Sequence, residues 1–286
     1  MANTSNDWQI KAERTNFQET DRYDDTVAYC KKLATASSLV KYEPFGKSPE
    51  GRDLPLLIVS REKLFTPEAA HNANSLVVLI INGIHSGEIG GKDASLMMLR
   101  EMLISKKLEP LLKNVTLLVV PIFNVDGHER MSPYNRINQN GPKEMGWRAT
   151  SQNLNLNRDW MKADQPEMRS MLNLFANWLP NMVIDNHVSD GADFQYDVTY
   201  IVQREPMLNP GISKYWTEIL EPSMVKGLKE TGHIPSPYFE MVDEKNPKAG
   251  ISHFLSTPRF SDGYATTQNR LGMTVETHML KPYSTQ

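Results

Sequence analysis

The chain has 286 residues, 40% of them hydrophobic and 23% charged, with a formal net charge of −3. That composition suits a soluble globular protein with a sizeable core. It offers no broad cationic surface for nucleic acid or anionic membranes, its single cysteine excludes an intrachain disulfide, and no apolar run reaches membrane-spanning length.

Residues 1–19 are polar and read as a mobile or edge-lying arm. The first thirty residues hold no apolar signal core, so the protein is either cytoplasmic or exported with its signal outside this numbering. Residues 21–36 read as a helix, because Tyr23, Val27, Cys30 and Leu33 form one stripe. Cys30 on that stripe reads as a buried structural thiol. Residues 39–45 and 54–59 are short apolar stretches around a Gly/Pro/Ser cluster, the pattern of an antiparallel pair.

Residues 76–81 are a continuous apolar run with β-branched residues, as expected of a strand buried on both faces. Residues 92–103 follow as a helix, with Leu96, Leu99 and Leu103 at helical spacing. Between the two lie His85 and Glu88, at the carboxyl end of a core strand, where open α/β sheets bind ligands. An imidazole and a carboxylate three residues apart can close on one divalent metal. Catalytic zinc takes three protein ligands, often two His and one Glu, and leaves a position open for water. Such a pair arises by accident about half the time in a chain with these residue frequencies. The alternative is a solvated His and a Glu placed well at a helix N-terminus.

Residues 115–121 read as a second core strand. Phe123 to His128 follow at its end, and the stretch from there to Thr150 is rich in Asn, Pro, Gly and Arg without periodicity; loops of that length are functional or disordered. Asp164 and Glu167 around Pro166 predict a capped helix whose apolar face is Met171, Leu174, Phe175 and Trp178. Residues 182–187 read as a third core strand ending in His187 and leading into the turn Ser189, Asp190, Gly191. Residues 197–203 read as a fourth strand, and 211–230 as helical with Pro222 breaking or restarting the helix. A second long loop is expected over 233–263 and a last strand over 273–278. With no repeat and no break in composition, residues 1–286 read as one α/β domain.

His187 ends a buried strand as His85 follows one, which makes it the leading third ligand; His278, also on a strand, and His128, on a loop, compete. A strand-end histidine is otherwise an ordinary satisfied core residue. Glu276 lies in an otherwise apolar strand. It is there either as an ion-pair partner for an arginine or as a general base beside a metal-activated water. Arg148, Asn157 and Arg158 belong either to a solvated face or to the recognition of a carboxylate and a developing oxyanion, which suits the guanidinium fork.

The ordered set His85-x-x-Glu88, Arg148, Asn157-Arg158, His187 and Glu276 resembles the zinc carboxypeptidases of the carboxypeptidase A family. Asn124-Val125-Asp126-Gly127 is similar to that family's Asn-Pro-Asp-Gly segment, and Leu156-Asn157-Arg158 to its Leu-Asn-Arg segment. The resemblance covers roughly residues 20–280. It implies a twisted mixed sheet of about eight strands between helices. It implies one zinc ion held by His85, Glu88 and His187, carbonyl polarisation by Arg148, and a terminal carboxylate gripped by Asn157 and Arg158. Glu276 becomes the base and then the acid. The substrates implied are peptide or protein C-termini.

The match has departures. The family often has Asp where Asn155 stands, supporting the first zinc histidine; an amide oxygen gives a weaker support. Tyr264 is the candidate for the family's mobile tyrosine, although it lies close to Glu276 in sequence. Asp262, near the specificity region, suits a basic last residue or an ordinary loop carboxylate. The family adds a closing helix after the last strand, so the resemblance implies a shortened chain or part of a longer protein. Two other functions fit the residues: an N-acyl amino acid deacylase of the aspartoacylase type, and a non-catalytic peptide-binding domain on the same fold. Oligomeric state is not legible.

Overall fold

The computed structural model describes residues 6–189 and 193–285. Ten strands and nine α-helices alternate along them. In chain order they are α1 (Lys11–Arg14), α2 (Tyr23–Ala36), β1 (Val40–Lys47), β2 (Asp53–Ser60), α3 (Pro67–Asn72), β3 (Leu76–Asn82) and α4 (Gly90–Leu103). There follow β4 (Val115–Val120), α5 (Val125–Glu129), α6 (Pro166–Trp178), β5 (Met182–Val188), β6 (Val198–Val202), α7 (Pro210–Tyr215) and α8 (Glu221–Glu230). The last are β7 (Pro235–Pro237), β8 (Phe239–Met241), β9 (Ile251–His253), α9 (Ser261–Thr267) and β10 (Leu271–Thr277).

Eight strands form one mixed sheet in the order β1-β2-β4-β3-β5-β10-β6-β7, and β8 and β9 form a separate hairpin. The centre is parallel: β3 pairs β4 on one side and β5 on the other, and β5 pairs β10. Such strands need cover on both faces, and their apolar runs supply it. On one face Ile80, Leu117 and Val119 meet Tyr29, Cys30 and Leu33 of α2 and Leu96, Leu99 and Leu103 of α4. On the other, Leu79, Ile81, Leu118 and Val183 meet Met168, Met171, Leu174 and Phe175 of α6. The expected α/β sheet with helices on both faces is what the chain builds. Cys30 is fully buried, and that burial pushes its thiol up to about 12.

Several local expectations fail. The arm is no arm over its described part, because Ile10 and Ala12 are core residues. Helix α6 is capped at Gln165 without a side-chain bond; Asp164 does not cap it, and both Glu167 oxygens lack hydrogen-bond partners among the described residues. Pro222, by contrast, restarts a helix as expected: it falls in the first turn of α8, directly after a π turn over Trp216–Leu220. Residues 233–263 are not a plain loop, since they hold β7, the β8–β9 hairpin and the start of α9. The proposed Asp190-Gly191 turn lies outside the described residues.

Candidate active site

The parallel strands β3, β5 and β10 bring their carboxyl ends to one sheet edge. His85 and Glu88 occupy the turn between β3 and α4. Two details make that turn possible. Gly91 opens α4 against β5, where a Cβ would come within 2.5 Å of Asn186 Cβ. At Gly87, a Cβ would lie 2.6 Å from Arg136 Cγ and 2.8 Å from the Gly146 carbonyl oxygen, so the long loop can pass directly over the turn.

His85, Glu88 and His187 converge, with one ligand atom of each within 4.8 Å of the others. All three are buried. His187 Nδ1 lies 2.8 Å from Glu88 Oε2, and His85 Nδ1 lies 3.2 Å from Glu88 Oε1. Metal bonds of about 2.0–2.1 Å at tetrahedral angles put donors roughly 3.3 Å apart, so the spacing is close to that of a loaded site. Beyond its ion-pair contact with Glu88, His85 Nδ1 makes no aligned hydrogen bond among the described residues, and a metal would satisfy it. The nitrogen–oxygen–nitrogen donor set is one that zinc favours.

The outward nitrogens are held as well. His85 Nε2 meets Asn155 Oδ1 at 3.1 Å, and His187 Nε2 meets Asp185 Oδ2 at 3.0 Å. The Asn155 oxygen also accepts the Asn157 N–H at 2.9 Å, so one amide sets both a histidine and the turn Leu156–Arg158. Burial pushes the His85 pKa down, which favours the neutral form a metal needs. Burial alone would raise Glu88, but His85 and His187 more than offset it and hold it well below the usual carboxylate range. Burial would likewise lower His187, yet Asp185 and then Glu88 raise it well above normal.

A cleft opens on this centre. Arg148, Asn157, Arg158 and Glu276 line it with the three metal-ligand candidates. Glu276 stands beside His187 in the register of β10 and β5. Arg148 donates to Glu88 Oε1 at 3.1 Å. Arg158 stacks on Phe260 at 4.2 Å from its ring centre and donates to the Asn157 carbonyl at 2.7 Å. Asp262, 2% exposed, lines the cleft and accepts from Gln203 Nε2 at 2.8 Å; burial raises its carboxyl.

Tyr264 is not part of this cleft. Its ring packs 5.4 Å from both Trp160 and Phe175 in the core under α6. The tyrosine that does line the cleft is Tyr238, just after β7, with Glu240 and Phe254 of the hairpin region. The competing histidines are elsewhere: His128 lies between Glu129 Oε1 and Lys92 Nζ, and His278 packs against Phe194. Reading the chain also missed Arg136, buried and 3.3 Å from Glu88 Oε1, and Asp185. An arginine among several in an aperiodic loop carries no signal. Asp185 did carry one, an acid inside an apolar strand.

A family model described as zinc carboxypeptidase matches residues 26–200. The chain belongs to the zinc carboxypeptidase family. The matched stretch includes His85, Glu88, Arg148, Asn157, Arg158 and His187, and ends before Glu276. The chain is 24% identical over 239 residues to carboxypeptidase 2 of Trichophyton rubrum, a match covering 79% of this chain and 41% of that protein. It is 29% identical over 148 residues to carboxypeptidase Z of Gallus gallus, covering 47% and 20%. The chain thus spans about two fifths of the length of the Trichophyton relative. Its fold is that of a Burkholderia cenocepacia metallo-carboxypeptidase, with TM-score 0.64, 18% identity, and coverage of 90% of this chain and 60% of that one. Carboxypeptidase A of Helicoverpa armigera gives TM-score 0.64 and 18% identity, covering 97% and 68%. Membership in the zinc carboxypeptidase family accounts for the mixed sheet and for histidines at its carboxyl edge. Among the described residues, no helix is long and apolar enough to cross a membrane.

Proposed function

We propose that this chain is a zinc-dependent exopeptidase that hydrolyses the last peptide bond of a peptide or protein. The observation that carries the reading is the register pairing of Glu276 with His187, in a cleft shared with His85, Glu88, Arg148 and Arg158. His85, Glu88 and His187 would hold one zinc ion, which supplies Lewis acidity toward a water and a carbonyl oxygen. Glu276 takes a proton from the attacking water and returns it to the leaving amine. Arg148 leaves Glu88 to donate to the carbonyl oxygen as charge develops there. Arg158 and Asn157 receive the terminal carboxylate, which restricts cleavage to the final residue. Asp262 at the cleft wall favours a basic side chain on that residue, and Tyr238 takes the covering place expected of Tyr264.

An N-acyl amino acid deacylase would use a similar centre. The extended wall made by Tyr238, Glu240 and Phe254 supports a peptide groove instead. A non-catalytic peptide-binding domain would lack a ligand or the base, and all four are present. Zinc content of purified protein, followed by a panel of C-terminally varied peptides and acyl amino acids, tests the reading. Turnover of acyl amino acids alone would replace it.

A further inference from the structure

The two histidines of the centre are backed unequally. Behind His85 Nε2 stands a neutral amide, Asn155 Oδ1, at 3.1 Å. Behind His187 Nε2 stands a carboxylate, Asp185 Oδ2, at 3.0 Å. Asp185 is fully buried, between Val183 and His187 on the same face of β5. Its Oδ2 also accepts from Ser261 Oγ at 2.6 Å, while Oδ1 makes no hydrogen bond among the described residues. A buried carboxyl group with one oxygen left unpartnered is expensive without a use.

A competitor sharpens the point. Ser261 N donates to Asn157 Oδ1 at 3.3 Å, which turns the Asn157 amide nitrogen toward His187 Nε2 at 3.5 Å. A neutral imidazole has one N–H and one lone pair. An amide donor at Nε2 favours the lone pair there and the proton on Nδ1, the wrong face for a metal. A carboxylate at Nε2 favours the opposite form. Glu88 Oε2 also lies 2.8 Å from Nδ1; once a metal engages Glu88, the groups at Nε2 decide, and of those the Asp185 oxygen is the nearer, at 3.0 Å against 3.5 Å for the amide.

We propose that Asp185 is a positioning residue of the metal centre: by accepting the Nε2 proton of His187 it fixes the tautomer whose Nδ1 lone pair faces Glu88. Ser261, at the start of α9, orients that carboxylate. The support that an amide gives weakly to His85 is supplied with full charge to His187. This rests on the reading that His85, Glu88 and His187 hold zinc.

The test is zinc affinity of the full chain by chelator competition, for wild type, D185N, N155D and D185N/N155D. Loss of such a partner typically weakens metal binding roughly 10–100-fold, and that is the result expected for D185N, with an unchanged melting temperature of the metal-free protein. N155D places charge behind His85 and should recover part of the loss in the double variant. Equal zinc affinity of wild type and D185N overturns the role of Asp185 alone. A wild type that binds no zinc overturns the metal reading instead. If D185N does not fold, the zinc-loaded wild type still decides. A long-range ¹H–¹⁵N spectrum should show His187 protonated at Nε2, and zinc on Nε2 overturns the proposal.

Discussion

Glu276 of β10 and His187 of β5 are register partners across a parallel pair, with Thr199 of β6 on the other side of Glu276. Register partners in a parallel pair project to the same face of the sheet, so a carboxylate is fixed beside a metal-ligand candidate by backbone hydrogen bonds rather than by a loop. For a general base, Glu276→Gln should keep the melting temperature and zinc content and lower turnover by at least about a hundredfold. A Gln variant that melts early yet works normally per folded molecule would remove Glu276 from the chemistry.

The proposed metal centre is buried and has three candidate donors, so neither histidine should be dispensable. His85→Ala and His187→Ala should each empty the zinc site on measurement of bound metal. His278→Ala should not, because that ring packs on Phe194, apart from the cluster. Zinc retained in His187→Ala would reassign the third ligand.

Arg158 is held by its stacking on Phe260, which leaves a preorganised cation at the cleft. Amidating the C-terminus of a substrate peptide should abolish cleavage, and Arg158→Ala should cost roughly two to three orders of magnitude in kcat/KM, as loss of a charge-assisted bond implies. Equal rates on acid and amide would argue for an endopeptidase.

The two tyrosines should separate cleanly. Tyr264→Phe removes a hydroxyl from a ring packed between Trp160 and Phe175 and should leave kcat and KM within about twofold. Tyr238→Phe alters the cleft wall and should raise KM severalfold. The reverse pattern would restore Tyr264 to the site.

Glu167 supplies a pH effect on stability. It is fully buried with no hydrogen-bond partner for either oxygen among the described residues, and burial, with Asp126 and Asp159 adding, raises its carboxyl to about 7. An unfolded Glu titrates near 4.3. Between those values the folded state binds more protons than the unfolded one, so stability is fully present below about pH 4.3 and declines as pH rises to about 7. Glu167→Gln should therefore stabilise the protein at pH 8 by about 1 kcal/mol, allowing for partial screening, and change little at pH 4.5. Equal effects in melting scans at both pH values would exclude this origin.

What reading the chain could recover follows from physics. Residues 76–81 and 115–121 are long apolar runs because their strands are covered on both faces, residues 182–184 open a third strand in the same way, and a histidine or glutamate at such a strand's end stands out. The β8–β9 hairpin does not stand out. Its strands are three residues each, its Ile251 is 66% exposed, and it is held by ring contacts such as Tyr238 with Phe254, which leave no periodicity. Helix α9 was hidden by Ser261-Asp262-Gly263, turn-like residues that here serve burial. Ser261 bonds Asp185, and Gly263 lets the helix approach the Thr257 carbonyl, where a Cβ would come within 2.2 Å. Arg136 and Asp185 act on Glu88 and His187 across 48 residues or two, and only the folded chain reveals the first.

The bond from Arg148 to Glu88 couples two equilibria. Glu88 is a proposed metal ligand and Arg148 a proposed substrate donor, so a metal that neutralises the carboxylate loosens the arginine for the substrate. Such coupling is reciprocal: whatever factor zinc adds to the affinity for a carbonyl-mimicking inhibitor, the inhibitor must add to the affinity for zinc. In equilibrium competition with a chelator the inhibited protein should then hold zinc more tightly than the free one, and an Arg148→Ala variant should lose that difference while still binding zinc.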